Sequence, residues 1–406
     1  MTGRPITVVG AGFSGLVTAY LLTKAGREVR VVEEKSRAGG LIRTIRTEHG
    51  LVETAANGIL NSARVESMST DIGVPLLHTK RDARKRFIFR GKPRQLPLKP
   101  FEALRVPVGV AANATRLRPR QFETIAEWGR RVVGKGATDY LLVPALGGIY
   151  AGDPERLSAS LIFGSAELPA HLQTYRPGKA QVRGTVAPPN GMQQLIDGLR
   201  DYLQSKGVQI SFEAQANPND SEPTVLCLSA TDAADYLNGV APNVAGKLGS
   251  VEMVSLLTVT CFFDQAAAQL NGFGCLFPRD QGFRARGVLF NTSIFEGRGP
   301  AYAETWIFGG ALDADVVGLS DDQIQDTVLN DRKRFYESAD TPLAVHITRW
   351  PNVLPHYSVA LERTLASLPS PPPNVALVGN YLGRIGLAKI LERAAYVAEN
   401  VAKSWS

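Results

Sequence analysis

Three cysteines in 406 residues, Cys227, Cys261 and Cys275, with no C-x-x-C pair, are too few and too scattered for a disulfide framework or a cysteine-ligated zinc site. They are expected to be reduced and buried, which suits a cytoplasmic location. The five histidines, His49, His78, His171, His346 and His356, show no ligand spacing, so no metal is expected and His356 is given a structural role. Long apolar runs are also missing. The nearest, Tyr140 to Gly152, is broken by Pro144 and a glycine pair, and falls short of the roughly 18–20 residues a membrane span needs. The chain enters a β-branched run so soon after Met1 that no cleavable signal is expected. Charged residues are only 20% and hydrophobic ones 44%, which excludes wholesale disorder and coiled coil and leaves a globular protein of two or three domains.

Charge is scarce but unevenly placed. Formal net charge is +7, and between His78 and Arg120 thirteen Lys/Arg face only Asp82 and Glu102. That stretch carries +11 and leaves −4 for the rest of the chain. A basic patch beside apolar residues suits an anionic lipid surface or an acidic substrate; a plain solvated loop is the alternative. No nucleic-acid module accompanies it, and nucleic acid is not an expected partner.

What is present begins with Ile6–Val9, a β-branched run, followed by GAGFSG over Gly10, Ala11, Gly12, Phe13, Ser14 and Gly15. An apolar stretch at helical spacing follows, ending at Gly26, and then Val29, Val31 and Val32 lead to Glu33. Strand, glycine turn, helix, strand and acid in this order make a dinucleotide site. Gly10 permits the turn, Gly12 admits a pyrophosphate to the backbone, and Gly15 allows close helix–strand packing. The helix amides then face the phosphates, and Glu33 accepts from a ribose hydroxyl. After Glu33 and Glu34, Arg37 and the pair Gly39–Gly40 complete a pattern that resembles the second half of the FAD fingerprint of amine-oxidase-like flavoproteins. Non-covalent FAD, rather than NAD, is the expected cofactor.

Five further segments carry a fuller resemblance: HGLVETAANGI (49–59), RFIFRGKPRQLP (86–97), GIYAGDPERL (148–157), RWPNVLPHY (349–357) and VGNYLGRIGL (378–387). With the glycine turn they resemble, in order along nearly the whole chain, the oxygen-dependent, FAD-containing protoporphyrinogen oxidases. The resemblance implies an α/β fold with a discontinuous Rossmann-type FAD domain (1–75, 186–232 and 368–406). It also implies a helical, membrane-contacting insertion (76–185) and a mixed α/β substrate domain (233–367). It places Leu41, Ala56, Asn57, Gly58, Ile59, Trp350, Gly379, Ile385, Gly386 and Leu387 along the flavin and the main chain of Ala214 at the adenine. Gly148 and Ile149 would face the macrocycle. A propionate partner is expected among Arg84, Arg86, Arg90, Lys92 and Arg94, with Arg86 as the candidate. Arg384 stands where the family usually has glycine, Ala55 where it has another, and Ile390 where Cys is common. The implied activity is oxidation of protoporphyrinogen IX to protoporphyrin IX with molecular oxygen as acceptor, giving hydrogen peroxide. The flavin would carry the chemistry, and no protein nucleophile is nominated. Coproporphyrinogen III is the alternative substrate, and an amine oxidase or desaturase on the same scaffold the alternative activity. Residues 101–112 either rest on an anionic bilayer, making the protein peripheral, or form ordinary core. Oligomeric state is left open, a dimer included.

Overall fold

The computed structural model describes residues 4–218, 222–383 and 385–405. Two sheets organise it. The first is parallel and five-stranded, in the order Gln209–Ser211, Val29–Val32, Ile6–Val9, Thr224–Leu226 and Val375–Leu377. Strands buried on both faces read as continuous apolar runs, as Ile6–Val9 does, buried at every position. The helix Phe13–Lys24 packs between two others, Leu387–Ser404 and Gln193–Ser205. One core therefore joins the beginning, middle and end of the chain, with Leu16, Leu199 and Leu391 fully buried together.

The second sheet has seven strands, in the order Ala344–Pro355, Met253–Phe263, Tyr302–Gly309, Gly287–Leu289, Gly274–Leu276, Arg86–Phe89 and Pro93–Arg94. Its neighbours are antiparallel except for the parallel pair Gly274–Leu276 and Arg86–Phe89. Alternation assigns its faces. Phe87, Phe89, Cys275 and Phe277 pack with Ile324, Val328 and Phe335 of the helix Asp321–Tyr336, while Arg86, Ile88 and Leu276 lie on the other face. The expectation of a wholly helical insertion over 76–185 is corrected here. Residues 86–94 form a hairpin that extends the second sheet, because Phe87 and Phe89 supply apolar surface to its aromatic core.

Beyond that hairpin the insertion is helical: Pro100–Ala112, Ile125–Val132, and a run from Thr138 through Tyr150 whose first turn is π-type. The helix Pro100–Ala112 has no buried residue, and Phe101, Leu104 and Val108 on one stripe are more than 60% exposed. The core alternative for this segment is thereby excluded. Among the described residues no helix is long and apolar enough to cross a membrane. All three cysteines are free and buried, and burial pushes the Cys227 thiol up to about 12.

Candidate functional site

The glycine turn stands where Ile6–Val9 meets its helix. Gly10 has φ +98°, and a Cβ on Gly15 would lie 1.7 Å from the Gly10 carbonyl oxygen, so glycine is needed at both for the protein's own packing. Gly12 is different. Its φ is an ordinary −67°, and the nearest heavy atom to a Cβ there would be Gly40 Cα at 3.8 Å. Nothing in the polypeptide demands glycine at 12, and the space beside its backbone suits the expected pyrophosphate. Gly12 bridges to Gly39, and the Gly39 amide donates to Ala11 O at 2.8 Å, so both glycine segments run side by side. Arg37 braces the second of them, donating from its guanidinium to Gly40 O (2.7 Å), Ala38 O and Ile42 O (3.2 Å each). Burial, followed by repulsion from Arg43, lowers its pKa. The helix begins at Phe13 with no side-chain cap and no acid in its first turn, leaving its amides for an anion.

Glu33 is buried, and its carboxylate accepts from the amides of Ala11 (2.6 Å) and Lys35 (2.9 Å). Glu34, by contrast, is exposed. Ala214 lies beside Glu33, but its amide already donates to the Glu33 carbonyl oxygen at 3.1 Å.

The flavin segment is held from several directions. Thr54 Oγ1 donates to Leu41 O (3.0 Å) and Arg43 O (3.1 Å). Its carbonyl accepts from Trp350 Nε1 at 2.7 Å and from Thr258 Oγ1 at 3.3 Å. Trp350 thus anchors the strand that leads into Ala56, Asn57, Gly58 and Ile59. Asn57 Oδ1 accepts from Asn291 Nδ2 at 2.9 Å. A Cβ on Gly58 would come within 2.7 Å of Thr185 and 2.9 Å of Val186 O, so that glycine answers to strand pairing of Ile59 with Val186. Behind this segment Glu53 and Arg298 are both buried and 3.5 Å apart. Glu53 also accepts from Thr44 Oγ1 (2.8 Å) and the Met192 amide (2.9 Å). Burial raises the Glu53 pKa and lowers that of Arg298.

The C-terminal segment closes the site. Ile385 is half-buried, Gly386 has φ +95°, and Leu387 starts the long last helix, whose N-terminus has no side-chain cap. That helix contacts the strand Ile59–Leu60, which brings Leu387 and Ile59 into one neighbourhood. Gly379 packs against Tyr381, whose buried hydroxyl has no hydrogen-bond partner among the described residues. Arg384 lies outside the described residues.

On the substrate side, a Cβ on Gly148 would meet Leu276 Cδ2 at 2.7 Å, so the GIYAGD turn lies directly on the second sheet. Ile149 is 59% exposed. Arg86 sits opposite Gly274 in the adjacent strand, exposed, its guanidinium 4.6 Å over the Phe273 ring. Of the other candidate cations, Arg90 is withdrawn by a double hydrogen bond to Glu102 (2.6 and 3.0 Å). Sequence reasoning missed Arg286. Its guanidinium donates to Gly147 O (3.2 Å), Gly152 O (3.3 Å) and Gly309 O (3.1 Å), clamping both ends of the turn to the sheet. His356 Nε2 accepts from the Asp153 amide at 3.2 Å, and Nδ1 lies 3.2 Å from Glu252; burial lowers its pKa. No periodic or compositional signal could have found Arg286, one of several arginines in an unremarkable loop. Glu53, by contrast, was visible as a lone acid closing the apolar strand Leu51–Glu53.

A glycine cradle open on one side, an uncapped helix start and a buried acid define a dinucleotide-dependent oxidoreductase. The second sheet roofs the segment expected along the flavin. Residues 13–402 match the family "Flavin containing amine oxidoreductase", and the chain belongs to that family. It is an FAD-dependent oxidoreductase. It is 25% identical to the chloroplastic protoporphyrinogen oxidase of Nicotiana tabacum, covering 97% of this chain and 84% of that one. It is 23% identical to the coproporphyrinogen III oxidase of Mycobacterium tuberculosis, covering 99% and 98%. The fold is shared with a provisionally named protoporphyrinogen oxidase from Exiguobacterium sp. 255-15, with a TM-score of 0.80, 20% identity and 99% coverage of both chains.

Proposed function

We propose that this enzyme oxidises a porphyrinogen, protoporphyrinogen IX to protoporphyrin IX, with molecular oxygen as final acceptor and hydrogen peroxide as the second product. The observation that carries this reading is the packing of the GIYAGD turn against Leu276, with Gly148 and Ile149 both exposed beside it. A flexible apolar macrocycle can lie against a turn that carries no side chain at position 148. Gly12, Gly40 and the start of the Phe13–Lys24 helix would hold FAD, which would supply a two-electron acceptor; the six-electron aromatisation of the ring would need three such rounds, with oxygen as final acceptor.

The polypeptide's part is positional. Trp350 and Thr258 hold Thr54, and Thr54 holds Leu41, so the flavin-facing strand is set by the second sheet. Arg86 is the propionate partner in this reading: exposed, at the strand edge and without a carboxylate partner among the described residues. The stripe Phe101, Leu104 and Val108, flanked by Lys99 and Arg105, rests on an anionic membrane surface where apolar substrate collects. Coproporphyrinogen III is the second reading, favoured by the mycobacterial relative of nearly equal length.

The test is anaerobic. FAD-loaded protein is mixed with protoporphyrinogen IX, the visible flavin band is followed, and oxygen is then admitted. Bleaching, recovery and rising porphyrin fluorescence are expected. A flavin that stays oxidised with protoporphyrinogen IX but bleaches with coproporphyrinogen III moves the substrate; bleaching with neither overturns the reading.

A further inference from the structure

A cavity of about 590 Å³ opens between the helical insertion and the end of the second sheet. No residue expected along the flavin lines it, and its volume is that of a small-molecule site. Its apolar wall includes Leu146, Phe277, Phe283 and Leu312. Its polar wall carries five cations and four carboxylates. Three of the carboxylates are already paired with bases: Glu155 with Arg130, Asp139 with Lys135, and Asp313 with Arg284 through two bonds of 3.0 and 3.1 Å. The fourth, Asp280, accepts from the Tyr140 hydroxyl.

Two cations are left over. Arg279 is exposed and has no hydrogen-bond or ion-pair partner among the described residues. The Arg286 side chain reaches only the three main-chain carbonyls of Gly147, Gly152 and Gly309, which leaves two of the five N–H groups of its guanidinium without a protein acceptor. A largely buried guanidinium without a carboxylate is uncommon, because burying charge costs free energy that a counter-ion offsets. Burial, followed by repulsion from Arg279, lowers the Arg286 pKa to about 10. An anion between Arg279 and Arg286 would offset the repulsion and supply the missing counter-charge.

We propose that this cavity is a second ligand site, distinct from the flavin site, for an organic carboxylate whose anion sits between Arg279 and Arg286 and whose apolar body lies on Phe277, Phe283 and Leu146. The assignment does not rest on the porphyrinogen reading. Arg286 clamps Gly147 and Gly152 from the same guanidinium, so a bound carboxylate contacts the group that positions the GIYAGD turn.

The probe is 1-pyrenebutyrate, titrated by fluorescence into FAD-loaded protein, with uncharged 1-pyrenemethanol as control. Arg279→Glu reverses a charge on an exposed residue outside the flavin site and should leave flavin content unchanged. Saturable binding of the carboxylate, at least tenfold weaker in Arg279→Glu and at least tenfold weaker for the alcohol, is expected. Equal binding of the carboxylate by both proteins, equal binding of acid and alcohol, or no binding to the wild type would each overturn the site. Arg286→Lys keeps the charge with fewer donors and should weaken the acid while leaving the alcohol unchanged. Since no turnover is measured, failure here and failure of the porphyrinogen reading are separable.

Discussion

Gly12 and Gly15 share one turn and are glycine for different reasons. At Gly15 a methyl group would collide with Gly10 O, so Gly15→Ala should cost stability and cofactor together. At Gly12 the backbone is ordinary and the space free, so Gly12→Ala should melt like the wild type without FAD yet fail to retain it. Thermal melts of cofactor-free protein beside absorbance at the flavin band separate the two. A Gly12→Ala protein that purifies with normal flavin would contradict the placement of the pyrophosphate. At Arg286 the effect is positional. Arg286→Met leaves three carbonyls without their donor, at about 1–3 kcal/mol for each group left buried. The expected result is a less stable enzyme with full flavin content and reduced turnover of the proposed porphyrinogen substrate, measured as flavin-to-protein ratio and steady-state rate.

The helix Pro100–Ala112 shows how an element can be held at one end and left open along its length. Glu102 closes its N-terminus, accepting from the Lys99 amide at 2.7 Å, and binds Arg90 of the neighbouring hairpin. Bonded to the Arg90 guanidinium, the Glu102 carboxyl is held at about 2, below its ordinary 4.5. A depressed carboxyl contributes stability that is complete above its unfolded value and lost as pH falls through the folded one. Wild type should therefore exceed Glu102→Gln by about 1–2 kcal/mol at neutral pH, with the difference shrinking as pH drops from 4.5 toward 2. Acid unfolding curves of the two proteins check this. The open stripe makes a separate prediction. Leu104→Glu with Val108→Glu should leave the melting temperature near wild type, because neither side chain is buried, and should reduce sedimentation with phosphatidylserine vesicles severalfold. Unchanged sedimentation would place any membrane contact elsewhere.

At the scale of the molecule, the segment after the strand Leu51–Glu53 and the second sheet are tied through Trp350 and Thr258, so the stability of the sheet bears directly on the proposed site. Its buried polar centre is Arg332, whose Nε donates to Glu304 at 3.1 Å and whose guanidinium carbon stands 3.8 Å over the Phe263 ring. Arg332→Met would strand Glu304 as a buried, unpaired acid, at about 3–5 kcal/mol. Chemical denaturation should show that loss, with weaker FAD retention despite the distance from the cradle. Retention unchanged in the destabilised protein would mean the parallel sheet holds the cofactor by itself.

Local order alone carried a good part of this protein. The strand, glycine turn, helix, strand and acid of residues 6–33 lie within one short stretch, and each step is set by neighbours in the chain, so the cradle was legible residue by residue. The helices Gln193–Ser205 and Leu387–Ser404 likewise bury residues at helical spacing, a local signal in the chain. The rest was decided by contacts between distant segments. Residues 86–94 look like loop and basic patch until the aromatic core of a sheet more than a hundred residues later claims Phe87 and Phe89. Nothing near Gly58 in the chain announces Thr185 and Val186, the strand it packs against. Arg286 is one arginine among many until the fold brings Gly147, Gly152 and Gly309 around it. Backbone propensity and short motifs act over a few residues, whereas pairing of strands, burial of charge and the filling of cavities depend on which surfaces meet, and only the tertiary structure determines that.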